Sequence, residues 1–231
     1  MRFPNNKLKA FTLSYDDGVE QDRRLISIFN KYNLKCTFNL NSGIQSNSNK
    51  FTVDGKTIRR MNVAGLKELY QGHEIAVHSL THPILPEQNI ETIYNEIVQD
   101  KINLENIFDR KIIGMAYPFG AYDDRVIQVL KENSIKYART VQDTENFKLQ
   151  SNLLEFKPTC HHNNKNLFKL AEEFINLDAT EPCIFYVWGH SYEFDVDNNW
   201  NMIEEFCSMI SNRSDIFYGT NAEVFMWSEC F

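Results

Sequence analysis

The chain has 231 residues, enough for one large α/β domain and too few for two generous ones. Hydrophobic residues at 42%, charged residues at 24% and aromatic residues at 13% describe a globular chain with ample core volume, which argues against disorder. The formal charge of −7 argues against a general nucleic-acid binder, whose phosphate contacts require a basic footprint.

Residues 9–15 (KAFTLSY) combine β-branched and aromatic side chains and run into Asp16-Asp17-Gly18, so a buried strand ending in a turn is expected. Residues 21–32 place Leu25, Ile28, Phe29 and Tyr32 at helical spacing, and residues 35–40 (KCTFNL) resume strand character, giving a β-α-β opening. Residues 41–54, rich in Asn, Ser and Gly, read as a surface loop; Asn62 is placed to cap a helix reaching Tyr70 and closed by Gly72. Residues 74–77 (EIAV) form a short apolar strand ending at His78, and residues 89–108 a long amphipathic helix. Residues 112–116 lead into Tyr117-Pro118-Phe119-Gly120, residues 123–133 read as a helix, and residues 136–140 (KYART) as a strand. Helices over 167–177 and 200–210, an apolar strand over 183–188 ending in Gly189-His190, and a short last helix over 222–227 complete the series.

Alternating strands and helices call for a parallel sheet, and reactive side chains that follow successive strands place the site at the strands' C-terminal face. About seven strands are counted, one short of a regular barrel, so the expectation is a distorted or incomplete (β/α) barrel formed by residues 1–231 as one domain. The apolar stretch after the polar residues 1–9 is only about six long, below the roughly 7–15 of a secretory h-region. The longest apolar run, residues 183–188, falls far short of the roughly 20 needed to span a bilayer. Five scattered cysteines, Cys36, Cys160, Cys183, Cys207 and Cys230, form no CxxC pair and read as reduced, buried thiols. A cytoplasmic location is expected on these grounds, with secretion the alternative if a leader has been removed.

His78-Ser79-Leu80-Thr81-His82 sets two imidazoles four positions apart, close enough to share one metal, and Pro83 places the pair on a loop after the strand. Two unrelated histidines would give the same spacing. Asp16-Asp17 at a strand end sends adjacent carboxylates in different directions, one able to face a metal and the other a water, although Asp and Gly in succession also mark plain turns. His190 follows a buried strand at the same rim, and Tyr117-Pro118-Phe119-Gly120 has the composition of a turn.

Taken in order, these motifs resemble carbohydrate esterase family 4, the polysaccharide deacetylases with a NodB homology domain. Ser14-Tyr15-Asp16-Asp17-Gly18 is similar to that family's T-F-D-D-G, with Ser for Thr and Tyr for Phe, and residues 78–82 match its H-[ST]-x-x-H in full. The R-x-P-[YF]-G motif appears as Ala116-Tyr117-Pro118-Phe119-Gly120, so Ala116 stands where the family has arginine, and residues 185–190 resemble its apolar strand ending in His. The resemblance implies a divalent metal on Asp17, His78 and His82, zinc first, with cobalt, nickel and iron as alternatives. It implies Asp16 as base, the Phe119 backbone N–H as oxyanion donor and His190 as the acid that protonates the leaving amine.

The arginine that orients the base is absent, and Arg139, one strand later on the same rim, is the candidate replacement. A carboxylate is expected to orient His190; Asp143 is preferred, with Glu193 and Asp195 as alternatives, and His161 and His162 either line the cleft or sit on the surface. The implied activity is removal of N-acetyl groups from an amino sugar or N-acetylglucosamine-containing glycan, with a carbohydrate as the partner molecule. An O-acetyl ester or small amide substrate, or a catalytically silent sugar-binding domain, are the alternatives, and oligomeric state is left open.

Overall fold

The computed structural model describes residues 2–227. Strand β1 (Lys9–Asp16) is buried along its whole length and pairs in parallel with its neighbours on both sides, which is why it reads as a continuous apolar and small-residue run. Helix α1 (Asp22–Lys31) returns the chain to β2 (Thr37–Leu40). An antiparallel hairpin follows, β3 (Lys50–Val53) and β4 (Lys56–Arg59), turned by Asp54-Gly55 with both residues at positive φ. It replaces the second half of the expected loop.

Helix α2 (Leu66–Leu69) is shorter than expected: Gly65 precedes it, and Asn62 accepts from the Asn47 backbone N–H instead of capping it. Then come β5 (Glu74–Val77), α3 (Ile90–Phe108) capped by the Asn89 side chain, β6 (Gly114–Ala116), α4 (Asp124–Glu132) capped by Asp123, and β7 (Tyr137–Arg139). The second half holds β8 (Cys160–His161), α5 (Leu167–Asn176), β9 (Cys183–Gly189), α6 (Glu193–Val196), α7 (Trp200–Ile210), β10 (Ile216–Tyr218) and α8 (Asn221–Phe225). The two- and three-residue strands β8 and β10 were not expected.

Seven parallel strands run in the order β7-β6-β5-β2-β1-β9-β8, with β10 set beside the start of β1, so the fold is the distorted (β/α) barrel that was expected. The segment before β8 also reaches the far edge, where the Phe156 N–H donates to Ala138 and the Thr140 N–H donates to Phe156. Along β1, Phe11, Leu13 and Tyr15 pack outward into the main core with the helices, while Ala10, Thr12, Ser14 and Asp16 alternate to the barrel interior. The lower interior is filled by α8, where the Phe225 ring meets those of Tyr137, Phe156 and Tyr186. The upper interior therefore holds Asp16, Asn39, Arg139 and Trp188, all buried. Cys36, Cys160, Cys183 and Cys207 are free and buried; Cys230 lies outside the described residues. Among the described residues no helix is long and apolar enough to cross a membrane.

Candidate active site

Parallel strands bring their C-terminal ends to one rim, and that rim collects the reactive side chains. Asp16 ends β1 and Asp17 follows it, His78 follows β5, Tyr117 follows β6, Arg139 ends β7, His161 ends β8 and His190 follows β9. Asp16, Asp17, His78, Tyr117 and His190 line a cleft of about 800 Å³ whose walls also include Phe51, Arg60, Phe119, Trp188 and Tyr192.

Asp17, His78 and His82 present one ligand atom each within 4.8 Å of one another. His78 Nδ1 lies 2.8 Å from the Ala116 carbonyl, which must accept, so Nδ1 carries the proton and the Nε2 lone pair faces the cleft. Burial keeps both imidazoles neutral, lowering His78 to about 4 and His82 in the same direction. Their Nε2 atoms stand 3.1 Å apart, close to the roughly 3.3 Å separating two nitrogens on one tetrahedral zinc, and His82 Nε2 is 3.8 Å from Asp17 Oδ1. Two neutral lone pairs and a carboxylate converging at these distances fit a divalent cation.

The loop carrying the histidines is held by α3. Asp100 accepts from the His78 N–H at 3.1 Å, and Glu96 accepts from the Thr81 N–H and hydroxyl at 2.8 and 2.6 Å. Ser79 and His82 adopt positive φ, a conformation that non-glycine residues hold only when their surroundings fix it. Asp17, at φ 84°, is fixed in the same way by Arg60, which donates to its carbonyl and reaches its Oδ1 at 3.0 Å.

Asp16 is nearly sealed from solvent, with a donor or a cation on each carboxylate oxygen. Asn39 Nδ2 donates to Oδ1 at 2.7 Å, Arg139 Nη2 meets Oδ2, and His78 Nε2 and His190 Nε2 lie 3.8 and 3.9 Å from Oδ2. Burial opposes ionisation, but Arg139 and the two imidazoles outweigh it and hold the Asp16 carboxyl at about 2. Burial likewise opposes the His190 cation, yet Glu193, Asp16 and Asp17 together raise it to about 9.

Ala116 and Arg139 are direct partners in the β6–β7 register. A guanidinium from Arg139 thus starts one strand, about 4.8 Å, from where a side chain on residue 116 would start, and at the same height above the strands. Its Cζ lies 4.4 Å from the centre of the Trp188 ring. Phe119 sits at φ 57° with its ring exposed and edge-on to His82.

Asp143 does not reach His190. Its carboxylate accepts from Trp188 Nε1, the His161 N–H and Asn164 Nδ2, so the loop after β7 is tied to the outer side of Trp188. The carboxylate beside His190 is Glu193, 3.4 Å from Nδ1 and on the first turn of α6, while Asp195 accepts from Gln21 and Trp200. His162 is fully buried, contrary to the surface alternative, and His161 is half-buried beside Glu193. Asn39 and Arg60 were not singled out from the sequence. A polar Asn inside the apolar run of β2 was the available signal, since a buried amide needs partners.

A family model described as polysaccharide deacetylase matches residues 4–138, more than half of the chain. The chain belongs to the polysaccharide deacetylase family. The match includes Asp16, Asp17, His78, His82 and Phe119 and ends one residue before Arg139. Among curated proteins, the Listeria monocytogenes peptidoglycan-N-acetylglucosamine deacetylase PgdA is 25% identical over 148 residues, 62% of this chain and 28% of that protein, so the match spans little more than a quarter of that relative's length. Among solved structures, a Mycobacterium smegmatis polysaccharide deacetylase shares the fold at TM-score 0.67 and 15% identity, covering 97% of this chain and 91% of that one. A family 4 carbohydrate esterase from Streptomyces lividans shares it at TM-score 0.57 and 12% identity, covering 91% of each chain.

Proposed function

We propose that this deacetylase is a metal-dependent hydrolase that removes N-acetyl groups from an amino sugar or N-acetylglucosamine-containing glycan. The observation that carries the reading is the geometry of the Asp16 and His190 pair beside the three ligand atoms, with His190 Nε2 3.9 Å from Asp16 Oδ2. Asp16 is held ionised and His190 protonated at neutral pH, which is the base and acid combination that amide hydrolysis requires. Asp17, His78 and His82 would hold a divalent cation, zinc first and cobalt, nickel or iron as alternatives for such a donor set. A cation bound there supplies Lewis-acid polarisation of the acetyl carbonyl and a more acidic water.

The chain's own groups supply the rest. Asp16, fixed by Asn39 and Arg139, receives the proton from the attacking water. The Phe119 N–H donates to the oxyanion that develops on the former carbonyl, a contribution commonly worth about 3–4 kcal/mol per donor. His190 gives its proton to the departing nitrogen as the carbon–nitrogen bond breaks, leaving acetate and a free amine. The exposed Phe119 ring offers aromatic surface for a sugar. The activity named for the Listeria relative supports the same substrate class.

Acetate release tests the reading. N-acetylglucosamine oligomers are expected to yield acetate and free amine in equal amounts, and faster than an O-acetylated sugar or a simple acetamide. Release from the ester alone would replace the amide reading; release from none would favour a silent sugar-binding domain.

A further inference from the structure

A second set of donors stands behind His190, on the side away from Asp16. Glu193 Oε2 lies 3.2 Å from His161 Nε2, 3.4 Å from His190 Nδ1 and 3.2 Å from His162 Nε2. His161, His190 and Glu193 each bring a ligand atom within 4.8 Å of the other two. These donors come from the end of β8, the end of β9 and the first turn of α6, so the fold assembles the group from distant parts of the chain.

His162 supplies an independent observation. Its side chain is completely buried, stacked between Tyr15 and Phe194, and neither ring nitrogen makes a hydrogen bond. The ring cannot swing away, because it lies against Gly189, where any Cβ would meet Nδ1 at 1.9 Å. A buried imidazole without partners is costly, and its Nε2 is aimed at the one carboxylate oxygen that three imidazoles share. His190 Nδ1 is likewise buried and without a hydrogen bond. One cation among these atoms would meet His162 Nε2 and His190 Nδ1 together with Glu193; His161, whose Nδ1 accepts from the Asn163 N–H at 3.1 Å, carries its proton on Nε2 in the metal-free chain and releases it on binding.

We propose that His161, His190 and Glu193, with His162 as a fourth donor, form a second divalent-cation site, and that zinc filling it switches the enzyme off. Two or three imidazoles with one carboxylate suit zinc. The site is the weaker of the two, because three of its four donors, His161, His190 and Glu193, are about a fifth exposed, whereas in the first set only His82 is and Asp17 and His78 are nearly sealed. Binding there does not depend on the substrate. Its inhibitory consequence rests on His190 being the acid, since an imidazole ligated at Nδ1 is no longer a cationic donor.

Zinc titration of the untagged, metal-free chain by calorimetry, with cobalt absorption as a second readout, tests the site. Two equivalents are expected for the wild type, and one for His161→Gln and for Glu193→Gln. His82→Ala should lose the tighter equivalent and keep the weaker. Acetate release by the wild type should fall as the second equivalent fills, on the order of tenfold or more given that general acids commonly contribute 10²–10⁴. His161→Gln should resist that fall. A single equivalent in the wild type, or two in both folded variants, would overturn the site. Two equivalents with no inhibition would keep the site and overturn the switch. An enzyme without acetate release but with two equivalents would count against the deacetylase reading and leave the site standing.

Discussion

The two ends of the barrel interior withdraw carboxylates from water and surround them with different partners. At the C-terminal end of the strands, Asp16 meets a guanidinium, an amide and two imidazoles and is driven far below the usual carboxylate range. At the opposite end, half-buried Glu74 accepts only from neutral groups: the Thr37 and Tyr137 hydroxyls at 2.8 and 2.7 Å and the Ala222 N–H at 2.9 Å. Burial pushes Glu74 up, and these hydrogen bonds only partly offset the rise. Burial opposes ionisation at both ends, and the charge of the partners decides which tendency wins. The proposed chemistry lies at the charged end, while the neutral end ties Glu74 to the start of α8.

The largest expected effect comes from removing charge at Asp16 itself. Asp16→Asn should keep bound metal and lose turnover by roughly 10²–10⁴, the usual worth of a general base, whereas His78→Ala should lose both metal and turnover. Metal analysis and initial rates on the two variants check this; near-wild-type turnover in Asp16→Asn would remove Asp16 from the role of base.

Next in size is Arg139→Met, which strips the cation from the charged end. Breaking a buried pair costs about 3–5 kcal/mol in known cases, so a marked fall in unfolding free energy is expected. The sign with pH follows from the depressed Asp16. Its stabilisation is present above the unfolded carboxyl value and lost as pH falls through about 2, so the wild type should keep it well into acid. Without Arg139 the Asp16 carboxyl rises toward that of Glu74, and the acid limb of the rate profile should move to higher pH. An unmoved limb would mean that Asn39 and the imidazoles suffice.

Much of this contrast could be read from the residues, for reasons that also explain the failures. Strands β1, β5 and β9 were legible because a parallel strand buried on both faces is an uninterrupted apolar run, and each ended at a reactive residue. The strand-end rule also placed Arg139 on the rim with Asp16 before the register with Ala116 was known. The hairpin was hidden by Asn- and Ser-rich flanks, although Asp54-Gly55 between Phe51, Val53 and Ile58 carried a hairpin signal. Strands β8 and β10 are too short to have a period, and their pairing depends on tertiary contacts alone. The preference for Asp143 over Glu193 failed because a loop's path after β7 is set by Trp188 and His161, neither of them near in sequence.

The smallest effect should come from the neutral end. Glu74→Gln should leave acetate release unchanged and alter stability by no more than about 1 kcal/mol at pH 5. Because the folded value of Glu74 is raised, its contribution is present below the unfolded value and lost as pH rises, so the variant should gain on the wild type toward pH 8. Denaturant midpoints at the two pH values measure it; a loss of activity would mean that the two ends are not separate.

A divalent cation held by Asp17, His78 and His82 and used beside Asp16 is the centre of the proposed reaction. Its most direct test is acetate release from N-acetylglucosamine oligomers by the wild type before chelation, after chelation and after one equivalent of zinc. The account predicts loss of release on chelation and recovery with that single equivalent, with no recovery in His78→Ala. Undiminished release by chain shown to be metal-free would contradict it.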